Sequence, residues 1–240
     1  MIGSNGDRGP VLHGRRKARP LRATRRRLVE QLLPQLQIDL TAPNFDMASC
    51  FDFRPEQVWL EIGFGAGEHL AWQAAHNRRI ALIGAEPFIN GVARLLAEIE
   101  RTGLENIRIH PDDARALIDA LPASSIDRCF LLFPDPWPKR RHYKRRFVRP
   151  ETLDQLARIM RPGAELRLAT DHRGYGRWML AHLLRHPAFE WPAERAADWR
   201  LRGADWPPTR YEAKSRDAGR DAVYYRFRRI SKVEPDAQSP

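Results

Sequence analysis

Apolar residues along this chain gather in short continuous runs, separated by stretches in which they recur every three or four positions. Continuous runs of five or six read as strands buried on both faces, and the longer period reads as amphipathic helix. The pattern predicts strands at Val58–Ile62, Ile80–Ala85, Ile107–His110, Ile126–Phe133, Glu165–Ala169 and Val223–Ile230. Between them it predicts helices near Gly67–His76, Ile89–Arg101, Ala114–Ala120, Glu151–Met160 and Tyr175–Arg185. Such alternation implies an α/β fold, a mostly parallel twisted sheet with helices on both faces. Residues 1–20 carry Gly, Pro and Arg without any apolar period and are expected to form a disordered arm. A short helix over Thr24–Leu33 should stop at Pro34, whose ring and missing N–H oppose continuation. The expected organisation is a basic arm with that helix over 1–45, one domain over 46–232 and a tail over 233–240. Glu190–Pro208 reads as an insertion before the last strand, with Trp191, Trp199 and Trp206 as packing anchors.

Composition narrows the picture. With 240 residues, 42% of them hydrophobic, the chain suits one domain with a sizeable core. No apolar run approaches the roughly 18 residues that span a bilayer, and the N-terminus lacks a signal peptide's apolar segment. Cys50 and Cys129 are far apart, which favours free thiols and a reducing cytoplasm. The formal net charge is +11, and its excess is local. Residues 1–30 hold nine Lys/Arg against two acids, and residues 138–149 hold seven against none. Two cationic blocks on an otherwise ordinary balance form the footprint of a polyanion-binding protein.

The candidate chemistry sits where predicted strands end. Glu61-Ile62-Gly63-Phe64-Gly65-Ala66-Gly67 follows the first strand and opens a helix. Its compact glycine spacing differs from the dinucleotide fingerprint, and a carboxylate at Glu61 would repel phosphate while attracting a cationic amino-acid moiety. S-adenosyl-L-methionine has that character. Glu86 ends the second strand, where an acid can take ribose hydroxyls, and Asp113 follows the third, where it could accept from an adenine amino group. Asp112 is a rival for that contact, and Asp113 could equally cap the next helix. At the other end, three prolines in Phe133-Pro134-Asp135-Pro136-Trp137-Pro138-Lys139 hold an acid and an indole in a stiff loop, ahead of Arg140, Arg141, Lys144, Arg145 and Arg146. Asp135 could accept from guanine N1–H and N2–H₂, and Trp137 could stack on a base or pack the loop. Asp171, ending the next strand, could serve the same pocket or cap a helix.

Glu61-Ile62-Gly63-Phe64-Gly65, Asp135-Pro136-Trp137-Pro138-Lys139 with its basic run, Ala169-Thr170-Asp171 and Thr209-Arg210-Tyr211-Glu212 together resemble the tRNA (guanine-N7) methyltransferase family from about Leu60 to Phe227. The resemblance implies a Rossmann-like class I methyltransferase fold over 46–232, S-adenosyl-L-methionine as cofactor, tRNA as partner and methylation of guanine 46 in the variable loop. It assigns the cofactor to Glu61, Gly63, Gly65, Glu86, Asp113 and Asp135, with Asp135 also catalytic. Substrate contacts fall on Lys139, Asp171, Thr209, Arg210, Tyr211 and Glu212, and RNA backbone contacts are expected from Arg140, Arg141, Lys144, Arg145 and Arg146. Arg210 stands where the family more often has Lys, which keeps the charge. No metal and no membrane are expected, and monomer and homodimer both remain open. The rivals are a methyltransferase of another RNA, a nicotinamide dehydrogenase, which the glycine spacing disfavours, and a non-catalytic RNA-binding protein, which leaves three strand-end acids unexplained.

Overall fold

A computed structural model of the chain describes residues 19–40 and 47–231. One sheet contains β1 (Gln57–Ile62), β2 (Ile80–Ala85), β3 (Ile107–His110), β4 (Ile126–Leu132), β5 (Met160–Thr170), β6 (Phe189–Glu190) and β7 (Val223–Arg229). The strand order is β3-β2-β1-β4-β5-β7-β6, parallel from β3 through β5, with β7 antiparallel to both its neighbours. Chain order reverses between β1 and β4, so the loops leaving these two strands meet at one edge of the sheet. That switch point is where open α/β sheets bind ligands.

Most buried hydrophobic residues fall in two layers, with a small third cluster of Ala169, Trp206 and Tyr224. Val58, Leu60 and Ile62 of β1 share a core with Leu117, Leu153 and Met179, from α5 (Ala114–Ala120), α6 (Pro150–Ile159) and α7 (Arg173–Arg185). Trp59, between them in sequence, belongs to the opposite layer with Leu70 and Leu96, from α3 (Glu68–His76) and α4 (Ile89–Thr102). The strict alternation in β1 is what a strand covered on both faces requires.

Residues 19–40 join this core. After α1 (Ala23–Gln31), Pro34 does not end helical structure but sits in the first turn of a second helix, α2 (Leu33–Leu36), where its missing N–H costs nothing. Leu28, Leu33 and Leu36 are buried, Arg27 pairs with Glu100 at 2.5 Å, and Ile38 donates to the Ile109 carbonyl. The expected disordered stretch up to residue 18 and the tail from 232 lie outside the described residues. β4 ends one residue early because Phe133 turns to φ 50°, and β5 begins at Met160 rather than Glu165. Three short elements escape the apolar pattern: β6, α8 (Ala197–Arg200) and α9 (Arg210–Asp217). Cys129 is buried and Cys50 half-buried, and no disulfide joins the two. Among the described residues, no helix is long and apolar enough to cross a membrane.

Helix α4 abuts the glycine loop through Gly91. A Cβ added there would lie 2.0 Å from the Gly65 carbonyl oxygen, a backbone atom with no rotamer to escape into. Gly91→Ala should therefore destabilise the fold by about 1–3 kcal/mol through overpacking, read as a lowered urea midpoint. A midpoint equal to that of the parent would show that α4 and the loop separate freely.

Candidate functional site

The glycine loop leaves β1 with Gly63 at φ 72° and Gly65 at φ 58°. A Cβ at either would meet nothing within 4 Å, so the left-handed backbone, rather than crowding, selects glycine. Glu86, buried at the end of β2, accepts from the Gly65 N–H at 2.7 Å and the Phe88 N–H at 2.8 Å. Burial lifts its carboxyl above the ordinary value. These two hydrogen bonds oppose the lift, and the charges of Asp135 and Glu61 add to it. Glu61 lies beneath the loop, 2.8 Å from His69 Nδ1, both side chains almost wholly buried. Gln73 contacts the far side of that imidazole at 3.2 Å and donates to the Asp205 carbonyl, tying the 201–208 segment to the loop's foundation. Asp113 caps α5 by accepting from Arg115 N–H and also pairs with its guanidinium at 2.8 Å. Asp112 accepts from the Asp113 N–H.

These groups surround two cavities. One, of about 380 Å³, is lined by Glu86, Asp113, Asp135 and Trp137. The other, of about 320 Å³, is lined by Glu61, Arg94, Thr209 and Tyr211, and both include Gly63 and Phe133. The donor set fits the cofactor expected from the sequence. Glu86, Asp113 and Asp135 face one lobe, suited to hydroxyls and an amino edge, beside Arg115 and Arg145, and the smaller lobe pairs Glu61 with Arg94, the two signs that a zwitterionic amino-acid end requires. The glycine backbone is open where the two lobes meet.

The loop after β4 is bracketed by Phe133 and by Trp137, the latter at φ 41°. Residues 140–145 form a 3-10 turn that folds back and delivers Arg146 inward. Only 2% exposed, Arg146 donates to the Pro136 carbonyl at 2.9 Å and to that of Trp137 at 3.4 Å. Its guanidinium lies over the rings of Tyr143, Tyr175 and Trp178, at 3.7, 5.1 and 4.8 Å. The expectation that Arg146 touches RNA backbone is therefore corrected: it is a buried pin. A proline-rich loop leaves carbonyls without ladder partners, and this cation satisfies two of them. Arg145 is half-buried over Trp137 at 4.9 Å, while Lys139, Arg140, Arg141 and Lys144 remain exposed. Asp135 is exposed on the cavity wall, close enough for its charge to raise the pKa values of both Glu86 and Tyr211.

Asp171 accepts from Ser215 Oγ at 2.6 Å and Arg220 Nε at 2.7 Å, and Tyr211 OH reaches it at 3.4 Å. Burial raises its pKa, but these bonds outweigh burial and hold the carboxyl below its ordinary value. Asp171 and Tyr211 face a cleft that also includes Pro136. Helix α9 connects the two ends. Thr209 caps it by accepting from the Glu212 N–H, and Arg210 binds Glu68 through its own N–H at 2.7 Å and through its side chain. Tyr211 packs on Phe133 at 5.0 Å. Glu212 points elsewhere: it accepts from Tyr224 OH at 2.5 Å, pairs with Arg202, and does not enter the Asp171 cleft. Of the three tryptophans, Trp206 packs against His69 and Tyr224, and Trp191 against Phe227, whereas Trp199 carries Arg200 over its ring.

Sequence reasoning missed His69, Glu68, Ser215 and Arg220, each of which fixes a predicted acid or its neighbour. One signal was available for α9, since Thr209 with Glu212 three residues on is the spacing of a helix-opening capping box. Nothing local marks Arg220 as the partner of Asp171, 49 residues away.

Residues 55–225 match a family model described as "Putative methyltransferase". A protein of Rhodospirillum rubrum named tRNA (guanine-N(7)-)-methyltransferase is 50% identical over 221 residues, covering 90% of this chain and 87% of that protein. One of the same name from Rhizobium meliloti is 50% identical over 217 residues, covering 90% and 94%. Another, from Ruegeria pomeroyi, is 49% identical over 225 residues, covering 91% and 94%. Among solved structures, the aminoglycoside resistance methyltransferase NpmB1 superposes with a TM-score of 0.52 at 19% identity, covering 73% of this chain and 88% of its own. The 16S rRNA methyltransferase KamB gives 0.52 at 16%, covering 74% and 89%. At such identities these two likenesses concern the fold.

Two outcomes follow from the buried charges. Arg146→Lys should cost nearly as much stability as Arg146→Ala, about 2–4 kcal/mol, because an ammonium lacks the flat fork that bonds carbonyls while stacking on rings. Full retention of the urea midpoint in the Lys variant would reduce Arg146 to a simple charge. For Glu86, whose folded pKa is raised, the stability tied to its protonation is complete below about 4.5 and is lost as pH rises through the folded value. The stability of wild type relative to Glu86→Gln should thus decline with rising pH across that window, and a constant difference would contradict the shift.

Proposed function

The chain belongs to the tRNA (guanine-N7) methyltransferase family, and on that footing we propose that it transfers methyl from S-adenosyl-L-methionine to N7 of guanine 46 in the tRNA variable loop. The observation that carries the reading is the proline loop, which walls two sites at once. Its Asp135 and Trp137 line the cavity of Glu86 and Asp113, while its Pro136 lines the cleft of Asp171 and Tyr211. A donor and an acceptor held on opposite sides of one stiff loop are brought within reach of each other.

In this reading Glu86 takes the ribose hydroxyls, Asp113 stands beside the adenine, and Glu61 with the glycine backbone at Gly63 and Gly65 holds the amino-acid end. The cofactor supplies a methyl group on a sulfonium, whose C–S bonding electrons stay on sulfur as guanine N7 forms the new N–C bond. N7 carries a lone pair and no proton, so no side chain has to remove one. Asp135 and Asp171 orient the base through its N1 and N2 donors and oppose the positive charge that grows on the ring. Arg220 and Ser215 hold Asp171 ionised throughout the neutral range. Lys139 and the exposed cations Arg140, Arg141 and Lys144, with Arg145 at their edge, steer the phosphate backbone toward the loop. The N–H of Arg210 bonds Glu68 and so presents Thr209 and Tyr211 to the smaller lobe, while Tyr211 also faces the Asp171 cleft. The reaction belongs in the cytoplasm, where tRNA is found.

Transfer of labelled methyl to tRNA, followed by mapping of the modified base, tests the reading directly. A transcript with adenine at position 46 should accept none, and labelling at another nucleotide would reassign the target. Asp135→Asn should lower the single-turnover rate by about 10²–10³-fold, with cofactor affinity changed far less. That rate should also be flat with pH through neutrality in the wild type. A tenfold rise per pH unit would reveal proton removal and defeat the charge-balancing role.

A further inference from the structure

A cavity of about 880 Å³ lies away from the cofactor end. It opens between α7, α8, α9 and β7, and its walls combine Arg173, Arg177 and Arg216 with Trp199 and Leu201. Arg173, Arg177 and Arg216 are exposed and make no ion pair with any described residue, although acids elsewhere in this region are engaged. Glu212, on the same wall, already serves Tyr224 and Arg202, and Asp221 is the other acid there. Leu201 is 67% exposed, a large apolar side chain offered to solvent beside a half-buried indole. The cavity adjoins the Asp171 cleft, because Arg173, Arg220 and Asp221 line both.

Unpaired guanidinium groups next to an aromatic and an exposed aliphatic side chain match the two faces of an unstacked nucleotide, its phosphate and its base. The geometry points to a second RNA subsite: this cavity receives the nucleotides flanking the methylated guanine, with their phosphates on Arg173, Arg177 and Arg216 and a base against Trp199 and Leu201. The assignment rests on reading the Asp171 cleft as the seat of the target base. A strand leaving that cleft past Arg173 and Arg220 enters the cavity directly. It is also distinct from the exposed run at 139–144, which follows β4, whereas these arginines follow β5 on α7 and α9. A second copy of this basic chain would bring like charge against like.

The test compares wild type, Arg177→Ala/Arg216→Ala and Arg177→Lys/Arg216→Lys, using tRNA and S-adenosyl-L-methionine. The alanine pair should raise KM for tRNA about tenfold and reduce the steepness of the salt dependence by about 1.4, the value for two single-strand phosphates. The rate constant at saturating tRNA, cofactor affinity and melting temperature should stay within error, and the lysine pair should recover most of the affinity. In wild type, 4-thiouridine placed next to the target should crosslink to a peptide containing residues 197–201. An unchanged KM and salt slope in the alanine pair overturns the subsite, as does a crosslink confined to residues 139–146. Loss of a wild-type dimer in that pair also overturns it and assigns the cavity to self-association. If wild type fails to methylate tRNA at all, the proposed function falls first, and the two failures are thereby told apart.

Discussion

Parallel pairing of β1 with β4 fixes nearly everything at the functional edge. Register aligns Glu61 with Phe130 and Ile62 with Leu131, so the two chains leave the sheet side by side. Each must then turn at once, and each does so with backbone in the left-handed region, at Gly63 and Gly65 on one side and at Phe133 and Trp137 on the other. The glycines adopt this conformation freely. Phe133 and Trp137 do not, and the latter is kept there by the guanidinium of Arg146 on its carbonyl and that of Arg145 on its ring.

Electrostatics at this edge are organised for a cationic visitor. Glu61, Glu86 and Asp135 approach closely enough that the first and last both make ionisation of Glu86 harder. Mutual repulsion of this kind is relieved by positive charge placed among the carboxylates. On the proposed reading, the sulfonium side of the cofactor and the methylated base each bring that charge, so the acids serve binding and turnover in turn.

The sequence conveyed the parts of this design that repeat locally. Buried strands such as Leu82-Ile83 and Phe130-Leu131 announce themselves, because both of their faces are covered and no polar residue is tolerated between them. Acids at strand ends were visible for the same reason, standing where an apolar run stops. What remained hidden depends on contacts across the fold. Arg146 looks identical to its six cationic neighbours, and only the return of the 3-10 turn over Tyr175 and Trp178 sets it apart. Helix α9 has a weak apolar face and is anchored by Arg210 on Glu68, 142 residues earlier. Asp113 combines two readings that spacing could not separate, being at once a helix cap and a member of the cavity wall.

Helix α9 has a further consequence. In eight residues it bonds the helix that follows the glycine loop through Arg210, reaches Asp171 through Tyr211 and Ser215, and lends Arg216 to the arginine-lined cavity beside α7. A ligand that orders this helix from either end spares the other ligand part of that ordering entropy. Thermodynamic linkage then demands reciprocity: whatever factor one ligand adds to the affinity of the second, the second returns to the first. Such a helix acts as a ledger shared by two binding equilibria, and the order in which they are filled leaves its final entry unchanged.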